Sequence, residues 1–95
     1  MKTICVLEQL DEYLSTRNSI KSFFIYIENL PETEICLDFT NIKFISRSSA
    51  DEYLKQKKAS LKIIYEKNMP NEIKHILISV SGNSENFRQT NVIPC

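Results

Sequence analysis

The ten residues FISRSSADEY, positions 44–53, put Ser46, Ser48 and Ser49 beside Arg47, Asp51 and Glu52. A serine nucleophile needs a base within hydrogen-bonding reach, ordinarily a histidine oriented by a carboxylate. The chain has one histidine, His75, set among the apolar Ile73, Ile76 and Leu77. The Gly-x-Ser-x-Gly turn that exposes such a serine is absent. Asp51 and Glu52 are the carboxylate pair on offer for acid–base work, but adjacent helical residues point about 100° apart and do not converge on one substrate atom. The stretch is therefore not expected to be catalytic, and the chain reads as a non-enzyme.

Two other readings of the same residues survive. Ser48 with Asp51, and Ser49 with Glu52, have the S-x-x-[DE] spacing of a capping box, in which the hydroxyl accepts a first-turn N–H and the acid reaches back. Both acids also suit the positive end of a helix dipole. Alternatively, a serine at the start of a helix is open to a kinase. A phosphate on it would meet unpaired N–H groups, with Asp51 and Glu52 opposing it.

The rest of the chain must position this segment. Ninety-five residues make one small domain, with stability on the order of 5 kcal/mol. Twelve basic residues balance twelve acidic ones, so no overall field draws the chain to nucleic acid or an anionic membrane. Gly82 is the single glycine, which excludes a glycine-rich phosphate loop. The opening MKTICVLEQLDEYL is too short in its apolar run and too acidic for a signal peptide. No stretch approaches the roughly 18–20 apolar residues of a membrane helix. A cytoplasmic location is expected. Cys5, Cys36 and Cys95 are widely spaced, and with one histidine they make a poor metal site. Cys5 and Cys36 read as small buried apolar residues, and no cofactor is expected.

Apolar periodicity orders the elements. TICVL, residues 3–7, reads as a strand, and EQLDEYLST as a loop or one helical turn. Thr16 or Asn18 can cap a helix whose Ile20, Phe23, Phe24 and Ile27 fall at i, i+3, i+4 and i+7, ending at Leu30 before Pro31. EICLDF, 34–39, is a strand covered on one or both faces, followed by a turn at Thr40-Asn41. From Ser49 the pattern is helical, with Ala50, Tyr53 and Leu54 inward and Lys55, Lys57, Lys58 and Lys62 giving a basic outer face. LKIIY, 61–65, alternates as a strand. Pro70 suits the first position of a last helix carrying Ile73, Ile76, Leu77 and Val80, stopped at Ser81-Gly82-Asn83. Residues 1–82 form the domain. Residues 83–95 are a tail, frayed or adding an edge strand. The expected fold is α/β, a parallel or mixed sheet of about four strands with helices packed against it.

The run LSTRNSIKSFF…ICLDFTNIKFISRSSADEYL…LKIIYEKNMPNEIKHIL resembles the STAS-like domain family, small relatives of the anti-sigma-factor antagonists, and within it a subgroup of unassigned function. The resemblance spans about residues 14–80. It rests on Arg17 before the first long helix, Asp38-Phe39 closing a strand, Phe44-Ile45-Ser46, Ala50-Asp51-Glu52 opening a helix, and Asn68-Met69-Pro70. In classical antagonists Asp-Ser-Ser-Gly opens the second helix and its first serine is phosphorylated. The resemblance places Ser48 there, with Arg47 in place of the acid and Ala50 in place of the glycine.

The resemblance implies a non-enzymatic regulatory module. Its partner would be a histidine-kinase-like ATPase or an anti-sigma factor, docked through the loop and helix at 44–58. Ser46, Arg47, Ser49, Asp51, Glu52, Lys55 and Lys58 form the expected surface and Ser48 the switch. Basic Lys55, Lys57 and Lys58 suit an acidic partner face, although such a run also suits a solvated helix face. The alternatives are a small-molecule or nucleotide sensor at the strand ends and, less favoured by the neutral charge and absent recognition motif, a nucleic-acid binder.

Overall fold

In the computed structural model, which describes residues 1–81, Lys2–Cys5 forms the first strand, β1, and the chain passes at once into a single helical turn, Val6–Gln9, or α1. The strand expected over 3–7 ends early because Val6 turns inward, at 1% exposure, and Leu10 N–H closes the turn on its carbonyl at 2.9 Å. Tyr13–Leu14 is a two-residue strand, β2. The first long helix, α2, runs Arg17–Glu28. Thr16 is its cap, its Oγ1 accepting Ser19 N–H at 3.2 Å, and Ile20, Phe23, Phe24 and Ile27 are all buried as their spacing predicts.

Strand β3, Glu34–Asp38, has Ile35, Cys36 and Leu37 fully enclosed, as its continuous apolar run requires. Asn41 takes a left-handed conformation (φ 64°) in the turn that follows, a conformation asparagine tolerates better than bulkier residues. Phe44–Ile45 is β4, Arg47–Ala59 is α3, Ile63–Lys67 is β5 and Asn71–Ser81 is α4. The strand expected at 61–65 lies two residues further on, with Leu61 almost fully solvated at 92%. Pro70 stands just ahead of α4 rather than inside it, its carbonyl accepting Lys74 N–H at 3.0 Å.

The fold is α/β, as expected, with entirely parallel pairing. One sheet has the order β1-β3-β5 and a second pairs β2 with β4. The described residues thus hold five strands in two sheets. A sheet that grows in one direction by crossovers of one hand carries its helices on one face. Here α2 packs on α3 and α3 on α4. Their apolar sides meet Ile4, Ile35, Leu37 and Phe39 in one core. No helix among the described residues is long and apolar enough to cross a membrane. The tail expected at 83–95 lies outside the described residues.

Candidate functional site

Strand β4 delivers the chain to α3, and β2 holds β4 in place. Tyr13 pairs with Phe44 and Leu14 with Ile45 in register. Glu12 carbonyl accepts Lys43 N–H at 2.7 Å, and Leu14 carbonyl accepts Ser46 N–H at 2.9 Å. Leu14 and Ile45 point into the core, while Tyr13 and Phe44 stand side by side at 53% and 44% exposure. Two adjacent strands with period-2 side chains put one apolar pair inside and the other outside. Tyr13 lies outside the expected 44–58 segment, and the pairing that sets it beside Phe44 leaves no periodic trace in a two-residue strand.

The cap of α3 differs from the expected one. Ser46 leaves β4 with extended dihedrals, its carbonyl accepts Ala50 N–H at 2.8 Å, and its Oγ accepts Ser49 N–H at 3.1 Å. The helix thus begins at Arg47, two to three residues before the position the S-x-x-[DE] spacing suggested, and Ser48 and Ser49 already lie within its first turn. Ser46 Oγ also lies 2.9 Å from Ser49 Oγ and 3.2 Å from Ser48 Oγ. Ser49 is fully buried, whereas Ser48 and Arg47 are exposed. Ser46→Ala is expected to cost about 1 kcal/mol and Ser48→Ala no more than about 0.5 kcal/mol. Urea midpoints of the two variants measure the difference, and an equal loss would refute the assignment of the cap.

Freed from capping, Asp51 and Glu52 turn toward α2. Arg17 Nη1 lies 3.0 Å from Asp51 Oδ2 and 3.4 Å from Glu52 Oε1. Lys55 Nζ reaches Asp51 at 3.3 Å, and Gln56 Nε2 donates to Glu52 Oε2 at 2.7 Å. Hydrogen bonds from Arg17 and Lys55 hold Asp51 below its ordinary value of 3.8. The Gln56 amide, with Lys21 and Arg17 adding to it, does the same for Glu52 against 4.5. Carboxylates with lowered folded-state values contribute stability above their unfolded values and lose it as pH falls through the folded ones. Melting temperature should therefore decline below about pH 4.5, and Arg17→Met should flatten that decline. An unchanged acid limb in Arg17→Met, followed by circular dichroism, would contradict this.

Of the expected surface, Ser46 is half-buried and Ser49 and Glu52 are enclosed, Glu52 at 5% exposure. Arg47, Ser48, Lys55 and Lys58 face solvent, with Asp51 partly so. Arg47 Nη1 makes one long contact, 3.5 Å, to Ser79 Oγ on α4. At the strand ends, Asp38 Oδ1 accepts Thr40 N–H at 3.0 Å, Thr40 Oγ1–H at 2.5 Å and Asn68 Nδ2–H at 3.1 Å. Bonds from Thr40 chiefly, with Asn68 and Lys67 adding to them, keep that carboxylate below its usual value. Asp38 thus secures two loops. Among the described residues no group of three His, Cys, Asp or Glu side chains is placed to hold a metal ion. Compared with known proteins, the chain matches no family model, no curated protein and no solved structure.

Proposed function

We propose that this chain is a non-enzymatic regulatory module that docks a protein partner through residues 44–58, in the manner of the anti-sigma-factor antagonists its sequence resembles. One observation carries the reading. Of the three serines around the start of α3, Ser48 alone offers an exposed hydroxyl, beside the exposed Arg47 and close in sequence to the outward-facing Phe44. Ser46 is occupied as the cap and Ser49 is enclosed.

A phosphate on Ser48 would lie in the first helical turn, where backbone N–H groups and the helix dipole favour negative charge. Arg47 can swing from its long contact with Ser79 to meet it. Asp51, three residues on, opposes it, but Arg17 and Lys55 already neutralise that carboxylate. The partner implied by the resemblance is a histidine-kinase-like ATPase or an anti-sigma factor, with the cytoplasm as the compartment.

Incubation with ATP and an anti-sigma-type ATPase-kinase from the same source, followed by intact-mass analysis, tests the switch. A gain of about 80 Da, the mass of one phosphoryl group, is expected in the natural chain and absent in Ser48→Ala. No gain overturns the switch. Capture of the ATPase that is insensitive to both Arg47→Glu and Lys58→Glu overturns the surface.

A further inference from the structure

Period-2 alternation gives the β1-β3-β5 sheet two faces. Ile4, Ile35 and Leu37 point to the helices and belong to the core cluster. Cys36 points the other way, between Thr3 and Tyr65 in register, and stands outside that cluster. It is nevertheless fully enclosed, at 0% exposure, while Thr3 beside it is exposed and Tyr65 is half-buried. Its sulfur is disulfide-bonded, so it is not the simple apolar thiol its sequence suggested. Cys5 is free. It lies opposite Asp38, a diagonal neighbour of Cys36 at about 7–8 Å, beyond ordinary disulfide reach. The chain holds three cysteines, and the third is Cys95.

We propose that residues 82–95 form a strap across this second face, closed by a disulfide between Cys36 and Cys95 and released when that bond is reduced. Parallel sheets occur almost only with both faces covered, and the apolar sides of α2, α3 and α4 all go to the first. The 14 residues after Ser81 span at most about 46–50 Å when extended. The longest dimension of the molecule is 31 Å, so Cys95 can reach Cys36 from the end of α4. Phe87, Val92 and Ile93 give the strap apolar side chains to set against Tyr65. Because Thr3 stays exposed and Tyr65 does not, the cover lies toward β5 rather than β1.

Closure forms one sulfur–sulfur bond as two S–H bonds break. The two protons and two electrons go to a disulfide oxidant of the glutathione class, which leaves as two thiols. Exchange with those thiols reverses the step. In the cytoplasm proposed above, the glutathione poise therefore sets whether the second face is strapped or bare.

The test equilibrates the full chain with oxidised or reduced glutathione, then denatures and alkylates it. The oxidised chain should take one label, on Cys5, and the reduced chain three. A non-reducing digest should join the peptide of Cys36 to that of Cys95. Reduction should lower the melting temperature by about 10 °C or more, since the bond closes a loop of roughly 60 residues. Cys95→Ser should melt alike in both buffers, and Cys5→Ser should keep the shift. Hydroxyl-radical labelling of Tyr65 should rise on reduction, with the exposed Tyr13 unchanged. Three labels in the oxidised chain, a bond to Cys5, a bond between two copies, or equal melting in both buffers each overturn the proposal. So does a bond that forms without protecting Tyr65, for the segment would then be tied but would cover nothing.

Discussion

Replacing Phe24 by alanine is expected to cost about 3–5 kcal/mol, the range for removing a buried aromatic ring. That is comparable to the whole stability of a domain this small, on the order of 5 kcal/mol. Phe24 is 2% exposed and its ring joins α2 to Tyr53 of α3. Its centroid is 6.0 Å from Phe23 in an edge-on contact and 5.7 Å from Tyr53, which in turn meets Phe39 edge-on at 6.0 Å. Alanine would leave a cavity where α2, α3 and the end of β3 converge. The surrounding backbone is held by helix and sheet hydrogen bonds and cannot collapse to fill it. Phe24→Leu should cost only roughly 1–2 kcal/mol, because most of the volume remains. Tyr26, on the solvent side of the same helix, should tolerate alanine within about 0.5 kcal/mol. Urea unfolding of the three variants gives the comparison. A Phe24→Ala loss no greater than that of Phe24→Leu would mean that the aromatic cluster does not hold these elements together.

Glu66 is the second position where a single change should be severe. It lies on β5, facing the helices, with its side chain 8% exposed. Its Oε2 accepts from the buried Tyr53 hydroxyl and from Lys57 Nζ, the latter at 3.1 Å. Removing the carboxylate leaves a buried phenol without that acceptor and takes away a counter-charge of Lys57. The phenol costs about 1–3 kcal/mol. Lys57, a quarter exposed, can turn partly to water, so the total for Glu66→Leu should be about 2–4 kcal/mol.

The asymmetry of hydrogen bonding supplies the sharper test. Removing donor and acceptor together costs less than the two single changes summed, because neither is left unmatched. Tyr53→Phe/Glu66→Leu should therefore fall short of additivity by about 1 kcal/mol or more. Additive losses would show that the contact contributes nothing. Burial, aided by the facing Glu66, pushes the Tyr53 phenol well above its ordinary value of 10. A raised folded-state value leaves stability unaffected below about pH 10 and erodes it as pH rises beyond. Tyr53→Phe should be less sensitive in that alkaline window.

Local signals were strong enough to specify much of this protein before any tertiary contact was known. The i, i+3, i+4, i+7 stripe of Ile20, Phe23, Phe24 and Ile27, the Thr16 cap and the unbroken Ile35-Cys36-Leu37 run each sit within a window of a dozen residues, and each formed what it predicted. Alternating strands and helices likewise pointed to a parallel or mixed sheet, and the pairing is parallel throughout the described strands. The start of α3 was misplaced because two serines offered good cap spacing downstream of the real one. What decided between them was the pairing of β4 with β2, thirty-one residues away, which leaves Ser46 extended at the last residue before the helix. The same long-range pairing put Tyr13 beside Phe44. The α2–α3 packing gave Asp51 and Glu52 to Arg17 instead of to a cap.

The sequence by itself determined the longer elements and their inward faces, because periodicity and capping are written in neighbouring residues. Only the tertiary structure decided which of the three serines Ser46, Ser48 and Ser49 faces solvent and which acids are already paired. Those depend on contacts between residues far apart in the chain, and no local pattern encodes which distant residue will arrive.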